Sequence, residues 1–542
     1  MHIPTTRIDR NWTAGQHHEL SIALILLPLL VSALLLPGCA TLGDRHEPIA
    51  ASNAIPASTD TELGRLVPDD LAGTPLSAFR PLALSAHALD ARLTLIRHAQ
   101  RSIDMQYYLL QDDATGRLVL REVAEAARRG VSVRLLVDDL YTASSDRLLS
   151  DLAAISNVQL SLFNPFPAGR STILTRWTFA LLDFERLNHR MHNKLLVVDG
   201  AFAIAGGRNI ADEYFFRSAE GNFIDFDLLV TGAAVADLEG SFDTYWNSRR
   251  VRTLEALETD PRSVEQRRED FDRLTSSTVA YKPPSEDERD PLNYRPLSHD
   301  ISHPPLRLMR GQIRVVFDDP EKVSGRSENG LDASTVTAKV IDAIGQAHEE
   351  ALISSPYFVP GTTALEGLRS IRRRGVAITI VTNSMAANDE PFVSAAYERY
   401  RKRMLEAGIQ IYEVSPRVLR AVARLDEPLG RATGRLHAKA LVIDHLTTFV
   451  GSMNFDFRSS RLNTELGLFV DSPELAGDIT DLVSKLRSVG TYRMRLSPTD
   501  GQVQWTVSGT DGEQIFDSEP EIDAWTRLKL LLFSPFIDEG LL

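Results

Sequence analysis

Two stretches carry the reading: MHNKLLVVDGAFAIAGGRN at Met191–Asn209 and LHAKALVIDHLTTFVGSMN at Leu436–Asn454. In both, counting from His192 or His437, a Lys stands at +2, an Asp at +7, a Gly at +14 and an Asn at +17. The two histidines are 245 positions apart, and Gly130 and Gly375, which end ARRG and RRRG, are separated by the same interval. One His-x-Lys carries no information. A five-point pattern repeated at a constant interval within one chain marks an internal duplication.

Working outward, each copy sits downstream of a strand, helix, strand pattern. In the first, Ile103–Tyr108 reads as a strand, Leu118–Arg129 as a helix stopped at Gly130, and Val131–Val137 as the next strand. In the second, Leu352–Val359, Ala364–Arg374 stopped at Gly375, and Val376–Val381 repeat the order. A glycine stop before a β-branched apolar run is the punctuation of a βαβ unit. The expected fold is α/β: two homologous lobes, each a mixed sheet flanked by helices, packed with pseudo-twofold symmetry around one active site.

His and Lys two positions apart on a strand face the same way. His192, Lys194, His437 and Lys439 are therefore expected to converge on one pocket. Gly207 and Ser452 lack bulk and let backbone N–H groups approach a phosphate, while Asn209 and Asn454 add amide donors. An imidazole that attacks phosphorus must hold its proton on the other nitrogen, which needs an acceptor behind it. DFDLLVTGAAVA from Asp225 aligns without gaps with ELGLFVDSPELA from Glu465. Asp225 and Glu465 are thus the candidates to orient His192 and His437, with Asp227 the alternative in lobe one. Asp199 and Asp444 complete the motif as its third letter, but odd parity puts them at a hairpin turn, where a structural role is expected.

The chain has 542 residues, enough for two domains, and a formal net charge of −14 from 59 Lys+Arg against 73 Asp+Glu. That balance disfavours a general polyanion binder, so no nucleic-acid partner is expected. A single cysteine, Cys39, excludes intramolecular disulfides and Cys-rich zinc sites. P-loop, HExxH and GxSxG patterns do not occur.

The paired motifs resemble the phospholipase D superfamily over roughly residues 86–490. Longer stretches, among them RLNHRMHNK, GGRNIADEYF, SPYFVPG, TNSMAAND and GSMNFDFRSSRLNTELG, are similar to bacterial cardiolipin synthase C-type proteins. The resemblance implies ping-pong phosphatidyl transfer without metal or other cofactor. It makes His192 the nucleophile and His437 the acid and base. Lys194, Lys439, Asn209 and Asn454 would hold the phosphoryl oxygens, with Asp199 and Asp444 completing the catalytic motif. Phosphatidylglycerol is the implied substrate, with phosphatidylethanolamine as a second candidate. Hydrolysis to phosphatidic acid, or phosphodiesterase or nuclease action on the same site, stays open.

At the amino terminus, Leu20–Leu36 is a 17-residue uncharged stretch followed by Pro37, Gly38 and Cys39. Its length suits a secretory h-region. Leu36-Pro37-Gly38-Cys39 resembles a lipobox, which implies cleavage before Cys39 and acylation of its thiol. Residence at the periplasmic face of the outer membrane is expected, with the inner membrane as alternative. The expected layout is 1–38 signal peptide, 39–85 tether and lead-in, 86–250 lobe one, 251–310 charged Pro-rich linker, 311–495 lobe two and 496–542 carboxy-terminal extension.

Overall fold

The computed structural model describes residues 51–166, 176, 183–257, 260–276, 281–324, 332–388, 390–421, 433–509 and 512–522. The chain divides into two compact units. One, Met1–Gly43 with Phe166–Phe184, lies almost wholly outside the described residues, and the other, Asp44–Pro165 with Glu185–Leu542, contains both lobes. Cys39, the stretch 20–36 and the apolar tail 525–533 also lie outside the described residues. Among the described residues no helix is long and apolar enough to cross a membrane.

In lobe one the strands lie side by side in the order Val251–Thr253, Val158–Phe163, Ser132–Asp138, Ser102–Tyr107, Lys194–Val198, Phe202–Gly206, Asp227–Gly232 and Ser77–Leu82. Lobe two repeats it with Thr491–Leu496, Gln410–Val414, Ala377–Asn383, Glu350–Ser354, Ala440–Ile443, Thr447–Gly451, Leu466–Asp471 and Met309–Phe317. The βαβ strands pair parallel and the rest antiparallel, so each sheet is mixed, as expected. The strand Met309–Phe317 pairs through Met309–Gly311 with Ser77–Phe79 and through Gln312–Phe317 with Leu466–Asp471. That shared strand fuses the two sheets into one.

Both βαβ helices end where the glycines predicted. Ala114–Arg128 and Gly361–Arg373 stop before Gly130 and Gly375, which adopt φ of +100° and +94°, a region open to glycine without a Cβ penalty. Each lobe has its own outer apolar core, and a third core lies between the lobes. The helices Ala233–Trp246 and Pro473–Gly490 meet in that shared core with Leu195, Leu228, Val442 and Leu468. Burying apolar residues of both repeats in one core places the two motifs face to face.

The structure departs from the expected layout at one boundary and adds elements in two segments. Ser77–Leu82, expected in the lead-in, is a fully buried sheet strand, so lobe one begins before residue 86. The linker is more helical than its Pro content suggests, with Leu254–Leu257, Val264–Ser276 and Leu297–Ser302, and Phe271 and Leu297 pack into the core of lobe one. The extension adds Val503–Gly509 and Gly512–Phe516 to the edge of lobe two, where it covers a strand that would otherwise expose unpaired backbone groups.

Candidate active site

The segments that carry the two histidines are held by the opposite lobe. Thr433–Leu436, just before His437, runs parallel to Gly221–Ile224 of lobe one, and the His437 amide donates to Ile224 O at 2.7 Å. Reciprocally, the His192 amide donates to Thr464 O at 2.9 Å, and the Thr464 amide to Arg190 O at 2.8 Å. Each histidine therefore lies beside the residue that precedes the other lobe's acid.

That exchange sets the side-chain pairing. His192 Nδ1 lies 2.9 Å from Glu465 Oε2, and His437 Nδ1 lies 2.5 Å from Asp225 Oδ2. The acids are those expected from the alignment, and the structure fixes the partners across the lobes, each histidine taking the acid of the other repeat. Asp227, the alternative, turns away: its carboxylate is buried against Arg92 and Arg208 and accepts the Arg208 amide.

With the Nδ1 proton given to a carboxylate, each imidazole keeps a lone pair on Nε2 for chemistry. Burial lowers the His192 pKa to about 4, helped by Lys194 and Lys439 and opposed by Glu465. The His437 pKa is likewise lowered, by burial and then by Lys439, against Asp225. Burial alone would raise the Glu465 carboxyl, but His192, Lys194 and Ser452 outweigh it and hold it at about 2. Asp225 is also held below the usual carboxylate range: burial acts upward and His437, Lys439 and Arg208 downward. At neutral pH the centre thus contains two neutral imidazoles backed by two carboxylates.

Lys194 and Lys439 are each 2% exposed and donate to the carbonyl of the histidine two residues before them, both at 2.6 Å. Lys439 Nζ is also 3.0 Å from His437 Nε2. Burial lowers the Lys194 pKa well below its ordinary value, with Lys439 acting in the same sense. Two buried amines around one centre disfavour each other's charge, and an anion between them favours their charged forms. Among the described residues no cluster of three His, Cys, Asp or Glu side chains is placed to hold a metal ion.

Residues 93–246 and 340–487 each match the family described as "Cardiolipin synthase, PLD-like domain". The chain belongs to this family. Cardiolipin synthase C of Escherichia coli (strain K12) is 36% identical over 471 residues, covering 85% of this chain and 95% of that protein. Cardiolipin synthase 2 of Staphylococcus epidermidis (strain RP62A) is 27% identical, covering 69% and 61%. The crystal structure of phosphatidylserine synthase from Haemophilus influenzae Rd KW20 superposes with a TM-score of 0.53 at 15% identity, over 88% of this chain and 95% of that one, a likeness of fold.

Within this cardiolipin synthase-like frame, Asp199 and Asp444 take the structural place at a hairpin turn that their parity implied, not the catalytic one implied by the family motif, while the roles of Gly207 and Ser452 change. Asp199 accepts the amides of Gln100, Arg101 and Ser102, and Asp444 those of His348, Glu349 and Glu350. Each caps the start of a central strand from a hairpin turn at positive φ, +54° and +49°. Gly207 and Ser452 were expected to face phosphate and instead stand behind the acids. A Cβ at Gly207 would overlap the Asp225 carboxylate, and the Ser452 hydroxyl donates to Glu465 Oε2. The shorter Asp meets a glycine, and the Glu meets a hydroxyl.

Asn209 is largely committed to the fold: its Oδ1 accepts the Leu109 amide at 3.2 Å and its Nδ2 donates to Tyr214 Oη at 2.8 Å. Asn454 Oδ1, by contrast, is buried with no hydrogen-bond partner among the described residues. The duplicated asparagines are therefore not equivalent.

Some contributors escaped the sequence reading. Ser459 donates to Glu465 Oε1 at 2.7 Å, and its amide is fixed by Asp456. Asp138 accepts the Met191 amide and Asn383 accepts the Leu436 amide, both at 2.9 Å, so each holds the residue before a histidine. These two polar residues end apolar strands 245 positions apart, a signal the repeat interval could have exposed. Tyr108 meets His192 edge-on at 4.8 Å, while Tyr214 and Phe223 flank His437 at 5.1 and 4.9 Å.

Proposed function

We propose that this enzyme is a phosphatidyltransferase of the phospholipase D type that makes cardiolipin by moving a phosphatidyl group onto the hydroxyl of a second phospholipid. The observation that carries the reading is the pair of crossed, buried imidazole and carboxylate couples flanked by Lys194 and Lys439. Such a site supplies a nucleophile, a proton donor and anion stabilisation without a further group.

In the first step Nε2 of His192 bonds to phosphorus as the bond to the headgroup oxygen breaks. The leaving alkoxide takes a proton from His437 Nε2. An anionic phosphodiester beside His437 favours its imidazolium and offsets the lowering by burial and Lys439. In the second step the acceptor hydroxyl gives its proton to His437, its oxygen bonds to phosphorus, and the P–N bond to His192 breaks. His192 suits the nucleophile's role because its pKa of about 4 keeps it unprotonated at neutral pH. Water as the acceptor would give phosphatidic acid.

The test feeds the purified full-length protein headgroup-labelled phosphatidylglycerol, with and without phosphatidylethanolamine, and follows products by mass spectrometry. Cardiolipin and released headgroup are expected, both lost in His192→Ala. Phosphatidic acid as sole product would replace the synthase reading by hydrolysis. We also propose that acyl chains on Cys39 hold the enzyme in the cell envelope, at the periplasmic face of the outer membrane. An alkyne fatty acid fed to expressing cells should label the protein, and Cys39→Ala should lose both label and membrane fractionation.

A further inference from the structure

The repeat supplies an internal comparison between the outer helix pairs of the two lobes. In lobe one, Ser85–His98 packs against Ala114–Arg128, and an ion pair, Arg97 to Glu122 at 2.7 Å, ties the two helices together. Beneath it Leu93, Ile96, Val119 and Val123 are all fully buried, and Phe271 of the linker packs into the same core.

In lobe two the corresponding helices are Val336–Gly345 and Gly361–Arg373. The register is set by the amides on Asp199 and Asp444, where Gln100 matches His348. It places Gly345 where lobe one has Arg97. The 245-residue interval places Gly367 where lobe one has Glu122. Both members of the tie are thus glycines, and a Cβ built on either would meet nothing within 4 Å. Ile341, the counterpart of the fully buried Leu93, is 39% exposed.

Between these helices lies a cavity of about 720 Å³, within the range of roughly 300–1,000 Å³ typical of ligand sites. Its wall is mainly apolar, including Ile341, Ile344, Leu368, Ile371 and the stacked rings of Phe358 and Phe455. Two arginines also line it, Arg461 and Arg374, the latter donating to Gly345 O and Ala347 O at the helix end. The loop after Asn454 forms part of its wall. Phe455 and Asp456 line it directly after Asn454, and Ser460 lines it directly after Ser459, which holds Glu465.

We propose that this cavity seats an acyl chain of a phospholipid substrate, so that lobe two reads the lipid tail while the seam between the lobes reacts with its phosphate. The inference rests on the phosphatidyltransferase reading and deepens it. The apolar wall matches a hydrocarbon chain, whose phosphate end stays at the seam. The loop that follows Asn454 is shared by the cavity and the reacting centre, which is where the tail and the phosphate of one lipid would join.

Gly367→Leu tests it, because the new side chain projects into the cavity without meeting backbone. The variant should lower kcat/KM for dioleoyl phosphatidylglycerol relative to the dihexanoyl lipid by about tenfold, the effect of withdrawing roughly two methylenes from burial. In parallel, phosphatidylglycerol with a photoactivatable diazirine on its acyl chain should label peptides from 336–345 or 361–373 in the unmodified protein. That labelling should fall in Gly367→Leu. An unchanged chain-length ratio, or labelling confined to other peptides, overturns the proposal. If no phospholipid is turned over at all, the transferase reading fails instead, and the labelling result then decides whether the cavity takes an acyl chain.

Discussion

Replacing Glu465 by Gln should impair His192, which lies in the other lobe. Gln keeps the shape and can still accept from Nδ1, and Ser452 and Ser459 can each donate or accept, so the carboxylate charge is what is lost. A hydrogen bond to a charged group contributes about 1.5–3 kcal/mol against roughly 0.5–1.5 for a neutral one, which sets a lower bound of about tenfold on the rate. When Nε2 is bonded to phosphorus the ring becomes cationic. A unit charge pair about 4 Å apart at an effective dielectric near 20 is worth about 4 kcal/mol, so the upper bound is about a thousandfold. Single-turnover release of labelled headgroup measures that step. Selective ¹⁵N labelling of histidine should show His192 titrating still lower and losing its fixed Nδ1 tautomer, with His437 unchanged. A loss below about threefold, or a perturbation at His437 in place of His192, would refute the crossed pairing.

Three further outcomes rest on the same geometry. Gly207→Ala puts a methyl where the Asp225 carboxylate sits and should cost about tenfold to a hundredfold in kcat through His437, with unfolding midpoint and circular dichroism checking that the fold survives. Asp199→Ala strips the acceptor from three amides; urea denaturation should show a loss of about 1–3 kcal/mol, and kcat per folded molecule should stay within about twofold. His87 is fully buried with neither ring nitrogen hydrogen-bonded among the described residues, and burial, followed by Arg80, lowers its pKa from 6.5 to about 4. The unfolded chain takes up this proton below pH 6.5 while the folded protein refuses it until about pH 4, so stability falls as pH drops through that window. The loss from this group is about 2 kcal/mol at pH 5, and His87→Leu should remove that part of the slope in urea midpoints measured at about pH 7.5 and 5.

The duplicated architecture was legible because a repeat exposes its own register. Gly130 and Gly375 end their helices as read, and the Leu195–Val198 and Leu441–Ile443 runs form the buried arms of hairpins turning at Asp199 and Asp444. Charged residues concealed the linker's packing, since Phe271 and Leu297 are isolated apolar positions among polar neighbours and too few to give a clear period. Ser77–Leu82, with Pro81 and Arg80 in it, does not look like a sheet strand. It becomes one because Arg80 pairs with Asp300 and its backbone completes the edge beside Asp227–Gly232.

The sequence by itself determined the duplication, the two His-x-Lys sets and the candidate acids, Glu465 and Asp225 with Asp227 beside it, since spacing along a chain is one-dimensional information and the repeat doubles it. The tertiary structure alone decided which acid serves which histidine. Both acids are equally eligible by alignment, and the choice is made by backbone pairing across the seam, 273 residues apart for His192 and Glu465 and 212 for His437 and Asp225. It also decided that Gly207 and Ser452 stand behind the acids, because a missing side chain and a small hydroxyl look alike until the group that needs the space is seen. The same holds for Gly345 and Gly367, whose meaning appears only where the other lobe has an ion pair.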